Sequence, residues 1–456
     1  MKLLQPRVSL LAVVLLSLSA RSASSGQVPD STTAADTSRV PVFEIQGLTI
    51  MVPRPVSTTG GASAVEVVLD SMVMRPAPTL EQVLRDMPLI QVRRNSRGEA
   101  QPALRGGEDR QIAVIFDGVP ITLGWDARTD LSVIPLTSAQ RISIIRGLSS
   151  VLHGPNVLGG VIEIDVARGA ELQTAPRPAQ FQLGVDHTGA RDLGVSLGSM
   201  VETAHGSWVL RGGLGHQARD GIVLPEGAFD NPTFDSALLT EDGDLRLNTD
   251  VSRYDGFLSA RYRSEAGTWM SFSTSAYREE RGVAPEAHVQ EPRLWRYPSQ
   301  RRLLATLSGG TGQRATPWGE GDLEATVGVN LGSTEIDEFA TADYQDQVGK
   351  EDSKDQTFTL RLLGDHSLGQ GGEVRTALTY ADVNHDEDLV YSDPLGFDKR
   401  HYRQRLWSLG TEAEWWLGSD SGLEGSRPAR VSIGFAVDGA DTPKTGDKPS
   451  LGTLWD

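Results

Sequence analysis

The histidines are the first residues to consider for catalysis, because a hydrolase needs a nucleophile that is activated by a nearby base. The chain has eight of them, and His153, His216 and His401 are far apart in the sequence. The one G-x-S-x-G match, "GVSLG" at 194–198, lies inside a run of alternating apolar and polar residues and not between a strand and a helix, where the nucleophile turn of many hydrolases occurs. A barrel enzyme such as a lipase or protease is therefore the least favoured function, and we expect no catalytic residue.

Acidic stretches are the second candidates, since clustered carboxylates attract cations or cationic cargo. They read "LLTEDGD", "DYQDQVGKEDSKD" and "NHDEDLVYSD", but "DGDLRLNTD" lacks the spacing of a twelve-residue calcium loop. The absence of cysteine excludes disulfides and thiolate metal sites. We expect solvated loop tips, with no metal site and no cofactor.

The bulk composition excludes two further classes. A net charge of −17 argues against broad nucleic-acid binding, which needs clustered positive charge. A hydrophobic content of 38% is too high for a disordered chain and too low for a helical membrane protein.

The first 23 residues have the pattern of a cleaved signal peptide. Lys2 and Arg7 precede the apolar run "VSLLAVVLLSLSA", and the small residues Ala20 and Ala23 have the spacing of a cleavage site. The run is too short to cross a bilayer comfortably as a helix. We expect export, and a span of the membrane, if there is one, must come from a β-barrel.

Residues 24–61 are predicted to form a flexible leader, and residues 62–168 a compact α/β domain. In "PTLEQVLRDMP" the apolar residues have the spacing of one helical face, and the helix is expected to start at Thr79 and to stop before Pro88. Strands follow in "IQVRR", "PALRG" and "IAVIFDGVPI", the last with a hairpin signal at Asp117-Gly118. In "RISIIRGLSSVLHGPNVLGGVIEIDV", two Ile- and Val-rich strands flank glycines that permit tight turns and close packing inside a surrounding wall.

Residues 178–456 alternate apolar and polar side chains in about eleven runs of about ten residues, the length and period of a transmembrane strand. "DLEATVGVNLG", for example, puts Leu323, Val327 and Leu331 on one face. The connections alternate between short (201–205, 264–267, 365–372, 418–428) and long (219–254, 279–299, 333–355, 383–403), as in outer-membrane barrels. A soluble all-β fold, the alternative, gives no reason for this alternation.

Four stretches together resemble the plug domain of TonB-dependent outer-membrane receptors: "LEQVLRDMPLIQVRR", "PALRGGEDRQIAVIFDGVPI", "DLSVIPLTSAQRISIIRG" and "SSVLHGPNVLGGVIEI". The resemblance implies an antiparallel membrane β-barrel, of 22 strands in the family, with an N-terminal α/β plug in its lumen. A barrel of that size has room for such a plug. Only about eleven strands precede the end of this sequence at "LGTLWD", so we expect it to be the N-terminal part of a longer protein.

The resemblance also suggests roles for individual residues. Two Arg-Gly pairs are expected to lock the plug to barrel glutamates, Asp117 to Pro120 to form the plug hairpin, and three glycines to close the plug before the barrel begins. These plug residues are Arg105, Gly106, Asp117, Gly118, Pro120, Arg146, Gly147, Gly154, Gly159 and Gly160.

The segment at 43–52 lies where the family has its TonB box, which pairs in extended form with a strand of the inner-membrane protein TonB. Its sequence departs from the commoner acidic-Thr-Val pattern, and a plug strand paired internally is the alternative. The segment comprises Phe43, Glu44, Ile45, Gln46, Gly47, Leu48, Thr49, Ile50, Met51 and Val52.

The function implied is energised uptake of a scarce, bulky nutrient across the outer membrane of a Gram-negative cell, with a ferric siderophore favoured over cobalamin and oligosaccharides. The expected partners are TonB with its energising complex, outer-membrane lipid, and a small-molecule or metal-chelate cargo, without nucleic acid. An adhesin or a passive channel without energy coupling is the main alternative.

Overall fold

The computed structural model describes residues 44–45, 48–49, 63–68, 79–85, 87, 90–104, 106–121, 128–146, 151–153, 157, 159–167, 178–186, 189–224, 227, 245–368, 371–391, 396–417 and 429–441. The predicted signal peptide at 1–23 lies outside these residues, as does most of the predicted leader at 24–61.

The N-terminal domain is built on a five-stranded mixed sheet. Its strand order is β3-β8-β9-β6-β7, with β6 and β9 parallel and the other neighbours antiparallel. A separate hairpin pairs β4 with β5, and an earlier one pairs β1 with β2. The strands are β1 Glu44–Ile45, β2 Leu48–Thr49, β3 Ser63–Val68, β4 Ile90–Arg94, β5 Ala100–Leu104, β6 Ile112–Phe116, β7 Val119–Pro120, β8 Arg141–Arg146 and β9 Gly160–Asp165.

One α-helix, α1 Leu80–Arg85, covers this sheet, and three 3-10 turns (Asp109–Gln111, Leu131–Val133 and Val151–His153) connect the strands. The backbone N–H of Thr79 donates to Gln82 Oε1 at 2.9 Å, and the N–H of Gln82 donates to Thr79 Oγ1 at 3.3 Å. This reciprocal pair satisfies the free donors at the start of the helix, as the sequence predicts. Among the described residues, no helix has the length and apolarity to cross a bilayer.

The C-terminal part forms a single antiparallel sheet of twelve strands in which consecutive strands are neighbours, and the short β16 pairs with β17 alone. We call this sheet the wall and the preceding domain the plug. The wall strands are β10 Ala179–Val185, β11 Arg191–Thr203, β12 Gly206–Arg219, β13 Val251–Ser264, β14 Trp269–Gly282, β15 Trp295–Gly310, β16 Arg314–Thr316, β17 Gly319–Phe339, β18 Gln347–Leu368, β19 Gly372–Tyr391, β20 Phe397–Leu417 and β21 Ala429–Asp441.

The wall has one apolar exposed face and one inner face that covers the plug. On β17, Leu323 and Leu331 are exposed, whereas Thr326 and Asn330 on the alternate positions are buried. Leu304 of β15 faces inward and joins the hydrophobic core of the plug. The alternation read from the sequence therefore assigns the faces correctly.

The prediction is wrong for two of the four long connections. Residues 333–355 and 383–403 are mostly strand, because β17 and β18 pair continuously out to Glu338 and Gly349, and β19 and β20 pair out to Val390 and Phe397. These outer segments are rich in charged side chains, and acids of β19 lie opposite bases of β20, as Glu387 does opposite Arg400. They therefore lack the regular apolar alternation by which a lipid-facing strand is recognised. The other two long connections exist, shortened to 220–250 and 283–294.

Candidate interface between plug and wall

The predicted plug hairpin is present and turns at Asp117 and Gly118. Strand β6 pairs with β7 antiparallel, with Phe116 opposite Val119 and Ile115 opposite Pro120. Asp117 has φ +47° and Gly118 has φ +88°. A tight hairpin of this hand needs positive φ at both turn positions, which Asp and Gly tolerate best.

The side chain of Asp117 joins the hairpin both to the plug and to the wall. Its Oδ1 accepts hydrogen bonds from the backbone N–H groups of Val166 and Ala167, at 3.1 and 3.0 Å. Its Oδ2 accepts from Ser273 Oγ of β14 at 2.6 Å and from Thr306 Oγ1 of β15 at 3.0 Å. The carboxylate is fully buried, so these donors replace water around it.

A second plug carboxylate, Asp130, binds a buried wall arginine. Arg281 Nη2 of β14 donates to Asp130 Oδ2 at 2.9 Å, and Arg281 Nη1 donates to Ser132 Oγ at 2.7 Å. Asp130 Oδ1 accepts from the N–H groups of Ala100 and Ser132 in the plug, both at 2.9 Å. Glu279 Oε1 lies 3.4 Å from Arg281 Nε. The single positive charge of the guanidinium is thereby shared by two buried carboxylates.

Other wall arginines donate to plug carbonyl groups. Arg211 Nη1 donates to Ser138 O at 3.1 Å, and Arg261 Nη1 donates to Ala167 O at 3.0 Å. Arg361 Nη1 donates to Gly118 O at 3.3 Å. In each of these contacts the wall supplies the cation and the plug supplies the acceptor. Sequence reasoning missed this set, because a lumen-facing arginine on a strand has no local signal that names its partner.

The predicted contacts of the plug arginines with barrel glutamates stay predictions. Arg105, Gly147 and Gly154 lie outside the described residues, and for Arg146 the structure describes the backbone, which pairs with Ser63 and Gly160. Gly106, with φ +84°, has open space at its Cβ position.

The glycines at 159–160 serve close approach within the plug. A Cβ on Gly107 would lie 2.7 Å from Gly159 Cα, and a Cβ on Gly160 would collide with the carbonyl oxygen of Ile145. We expected these glycines to allow close packing of the plug against the wall. Their nearest atoms belong to the plug itself, so they allow close packing within the plug instead.

In the predicted TonB box, Glu44 and Ile45 pair antiparallel with Thr49 and Leu48. These strands are two residues long and pair with each other, not with the five-stranded sheet. The remaining residues of the predicted box lie outside the described residues, namely Phe43, Gln46, Gly47, Ile50, Met51 and Val52.

Asp165, at the end of β9, is a buried acid of the plug whose pKa is raised. It lies 2.7 Å from Arg141 Nε and is nearly inaccessible to solvent. Burial, assisted by the negative charge of Glu163, raises the pKa of Asp165 to about 7 in spite of Arg141. This carboxyl therefore titrates in the physiological range.

A cavity of about 870 Å³ opens between plug and wall at the end that carries the connections 220–250 and 283–294. The plug contributes α1 and the turn between β4 and β5, including Glu81 and Arg94, and the wall contributes the ends of β12, β13 and β14, including Arg219 and Arg253. Its size is in the range of small-molecule sites. We call this space the outer cavity.

The histidines that the structure describes do not form a common site. His216 stacks on Tyr254 with ring centroids 4.3 Å apart, and His401 Nδ1 lies 2.7 Å from Asp386 Oδ1. His153 lines a smaller cavity of about 240 Å³ between plug and wall. In the part of the chain that the structure describes, no three His, Asp or Glu side chains are grouped to hold a metal ion.

Three comparisons relate the chain to known proteins. A family model described as TonB-dependent Receptor Plug Domain matches residues 55–161. The chain is 31% identical over 186 residues to the vitamin B12 transporter BtuB of Photobacterium profundum, which covers 40% of this chain and 30% of BtuB. The chain spans less than half the length of the BtuB relatives that it matches.

Two solved structures share the fold. The copper transporter OprC superposes with a TM-score of 0.64 at 15% identity, over 86% of this chain and 57% of OprC. The ferric yersiniabactin uptake receptor FyuA of Yersinia pestis superposes with a TM-score of 0.57 at 13% identity, over 84% of this chain and 61% of FyuA. Both confirm the expected fold class. All of these proteins are transporters or receptors by name, which agrees with the expectation that the chain is not an enzyme.

Proposed function

Because the chain belongs to the TonB-dependent receptor family, we propose that it is an outer-membrane transporter that takes up a scarce, bulky solute with energy supplied through TonB. The exposed apolar face of the wall contacts outer-membrane lipid. The predicted signal peptide at 1–23 directs export.

The observation that carries this proposal is the way in which the plug is held. Asp117 contacts the wall through two neutral hydroxyls, and the wall arginines Arg211, Arg261 and Arg361 bind single plug carbonyls. Each of these hydrogen bonds joins one charged group to one neutral group and contributes about 1.5–3 kcal/mol in net terms. A plug held by such separate contacts, together with the buried ion pair of Arg281 and Asp130, blocks the lumen at rest and is released by a directed pull that breaks the contacts one after another.

The working cycle follows from this arrangement. Cargo enters the outer cavity, which the plug closes from below. TonB adds a strand to the segment at 43–52, a mode of recognition that needs free backbone groups and extended chain. The internal pairing of Glu44–Ile45 with Leu48–Thr49 is then given up for pairing with TonB. Tension on this segment loosens the plug and opens a path for the cargo along the inner face of the wall.

The cargo is proposed to be a ferric siderophore, with cobalamin and oligosaccharides as alternatives. The similar proteins transport different solutes by name: vitamin B12 for BtuB, ferric yersiniabactin for FyuA and copper for OprC. The volume of the outer cavity suits a metal chelate better than a bare ion.

The test is uptake of radioactive iron, presented as ferric siderophores, in an iron-limited Gram-negative host that expresses the receptor from its natural gene. Deletion of residues 43–52 should abolish accumulation, and so should inactivation of the host's TonB. The matched control deletes residues 24–33, an equal length of the predicted leader, and should leave uptake unchanged. Uptake that persists without TonB or residues 43–52 would indicate a passive channel, and surface binding without uptake would indicate an adhesin.

A further inference from the structure

The outer cavity has an excess of positively charged side chains. Six arginines but four carboxylates line it. The arginines are Arg85, Arg94, Arg219, Arg246, Arg253 and Arg281, and the carboxylates are Glu81, Asp250, Glu279 and Glu286.

The carboxylates of this lining are already engaged. Glu81 is buried and accepts hydrogen bonds from Arg85 Nη2 at 2.7 Å and from Arg94 Nη2 at 2.9 Å. One negative charge is therefore shared between two guanidinium groups. The pair of arginines keeps a net positive charge towards the cavity.

The acids contributed by the wall are also bound. Asp250 is held at both oxygens by Arg296, at 2.9 and 2.6 Å. Glu279 lies beside Arg281, and Glu286 Oε2 accepts the backbone N–H of Arg293 at 3.0 Å. Because Arg296 is not part of the lining, Asp250 offers little charge to offset the arginines inside the cavity.

Arg253 and Arg281 lie within ion-pair distance of Asp255 and Asp130. Arg219 and Arg246 have unused donors and form no ion pair among the described residues. The Nε–H group of each is buried and has no hydrogen-bond partner among the described residues. Arg246 Nη2 donates to a carbonyl, Pro285 O, at 3.3 Å, and not to a carboxylate. A buried charged donor without an acceptor is unfavourable, because no hydrogen bond compensates the loss of its water.

The surroundings of Arg246 also disfavour its positive charge. Burial lowers the pKa of Arg246, and the positive charge of Arg94 lowers it further. Two cations that repel one another across a cavity gain stability when an anion enters between them. Binding of an anion would therefore reduce the repulsion between Arg94 and Arg246.

We propose that the outer cavity binds cargo through an anionic oxygen group, a carboxylate, phenolate or phosphate, which Arg219 and Arg246 receive. A guanidinium presents parallel N–H donors that match two oxygens of such a group. The site discriminates against bare cations, which the same arginines repel. This inference rests on the proposed transport function, since it names the chemical class of the cargo.

The experiment measures equilibrium binding to the purified full-length receptor in detergent micelles. The anionic probes are ferric enterobactin, ferric citrate and inorganic phosphate; the neutral probe is cyanocobalamin and the cationic probe is ferrioxamine B. At least one anionic probe should bind more tightly than the neutral and cationic probes. The double variant Arg219→Gln/Arg246→Gln should weaken that binding about 10- to 100-fold, since two charge-assisted hydrogen bonds are lost.

Two control variants separate charge from folding. Arg219→Lys/Arg246→Lys keeps the charges and should recover part of the affinity, whereas Arg314→Gln, at the opposite end of the wall, should bind as the parent does. Affinity should fall as salt rises in the parent and fall less steeply in the Gln variant.

The proposal is overturned if no anionic probe binds, if a neutral or cationic probe binds most tightly, or if the Gln variant keeps full anion affinity. These outcomes are independent of energy coupling. In each of these cases the proposed transport would still be supported by uptake that depends on TonB and on residues 43–52. If that uptake is absent but an anionic probe binds as expected, the cavity binds anions and the transport proposal fails.

Discussion

The carboxylate of Asp117 in the plug lies 2.6 Å from the hydroxyl of Ser273 in the wall, although 156 residues separate them in the chain. Both groups are buried, and Thr306 supplies a second hydroxyl to the same oxygen. Residues at the tip of the plug hairpin thus reach two adjacent wall strands. The contact therefore fixes the position of the hairpin against both strands.

Replacement of Asp117 by Ala should loosen the end of the plug sheet. Four hydrogen-bond donors lose their acceptor, among them the backbone N–H groups of Val166 and Ala167. We expect the plug to lose about 2–4 kcal/mol of unfolding free energy, and hydrogen exchange at residues 160–167 to accelerate. Mass spectrometry of that peptide in detergent micelles measures the change.

Asp117→Asn is the matched control, because Asn also tolerates positive φ and retains one acceptor oxygen for the two backbone N–H groups. Its exchange should resemble that of the parent more than that of the Ala variant. If Ala and Asn variants exchange equally fast, the negative charge and not the hydrogen-bond geometry holds the hairpin.

Replacement of Arg281 by Gln should be more damaging than the loss of Asp117. Asp130 would stay buried without its counter-charge, and Glu279 would lose one of the arginines near it, a situation that costs about 3–5 kcal/mol. Arg281→Lys should cost less, since it keeps the charge but not the two-pronged donor. The readout is the denaturant midpoint of plug unfolding.

The control for Arg281 is Arg301→Gln, an exposed arginine on the opposite face of the neighbouring strand β15. It should leave the midpoint unchanged. Equal midpoints for the parent and the Arg281→Gln variant would mean that water or another cation compensates Asp130, contrary to the burial seen here.

Much of the fold could be predicted from the sequence because local pattern determines it. Alternation assigned the exposed face of β17 from Leu323 to Leu331, and the Asp117-Gly118 pair marked the hairpin turn. The plug helix was bounded by its cap at Thr79. Each of these signals lies within a few residues of the feature that it predicts.

The plug–wall contacts could not be predicted in the same way, since each joins residues that are far apart in sequence. Arg281 and Asp130 are separated by 151 residues, and Arg361 and Gly118 by 243. Which lumen-facing arginine meets which acceptor depends on strand register and on the rotation of the plug within the wall. The outer segments of β17 to β20 are not predictable as strands for another reason: they lie beyond the apolar belt, and their charged side chains resemble those of a loop.

Stability of the plug should depend on pH through Asp165. Its pKa is raised from 3.8 to about 7, so between these values the folded plug holds a proton that the unfolded chain has released. Raising the pH through this window therefore removes stability. We expect the melting temperature of the plug to fall between pH 5 and pH 8.

Asp165→Asn, which cannot ionise, should flatten this dependence and give the more stable plug at pH 8. Asp109→Asn, at the plug surface, should keep the slope of the parent. A parent plug that becomes more stable from pH 5 to pH 8 would show that Arg141 outweighs burial and holds the carboxylate ionised.

The fit of the hairpin against the wall should be sensitive to a single methyl group at Gly328. A Cβ on Gly328 of β17 would lie 2.5 Å from Val119 Cγ2 of the hairpin, closer than two carbon atoms approach. Gly328→Ala should therefore displace the hairpin from the wall and lower the unfolding free energy of the plug by about 1–3 kcal/mol. Adding Val119→Ala removes the colliding methyls and should restore part of the loss, which a double-mutant cycle of plug unfolding measures. Gly364→Ala, where a Cβ meets open space, is the control and should have little effect. If the losses from Gly328→Ala and Val119→Ala simply add, the two residues do not touch and the hairpin is seated elsewhere.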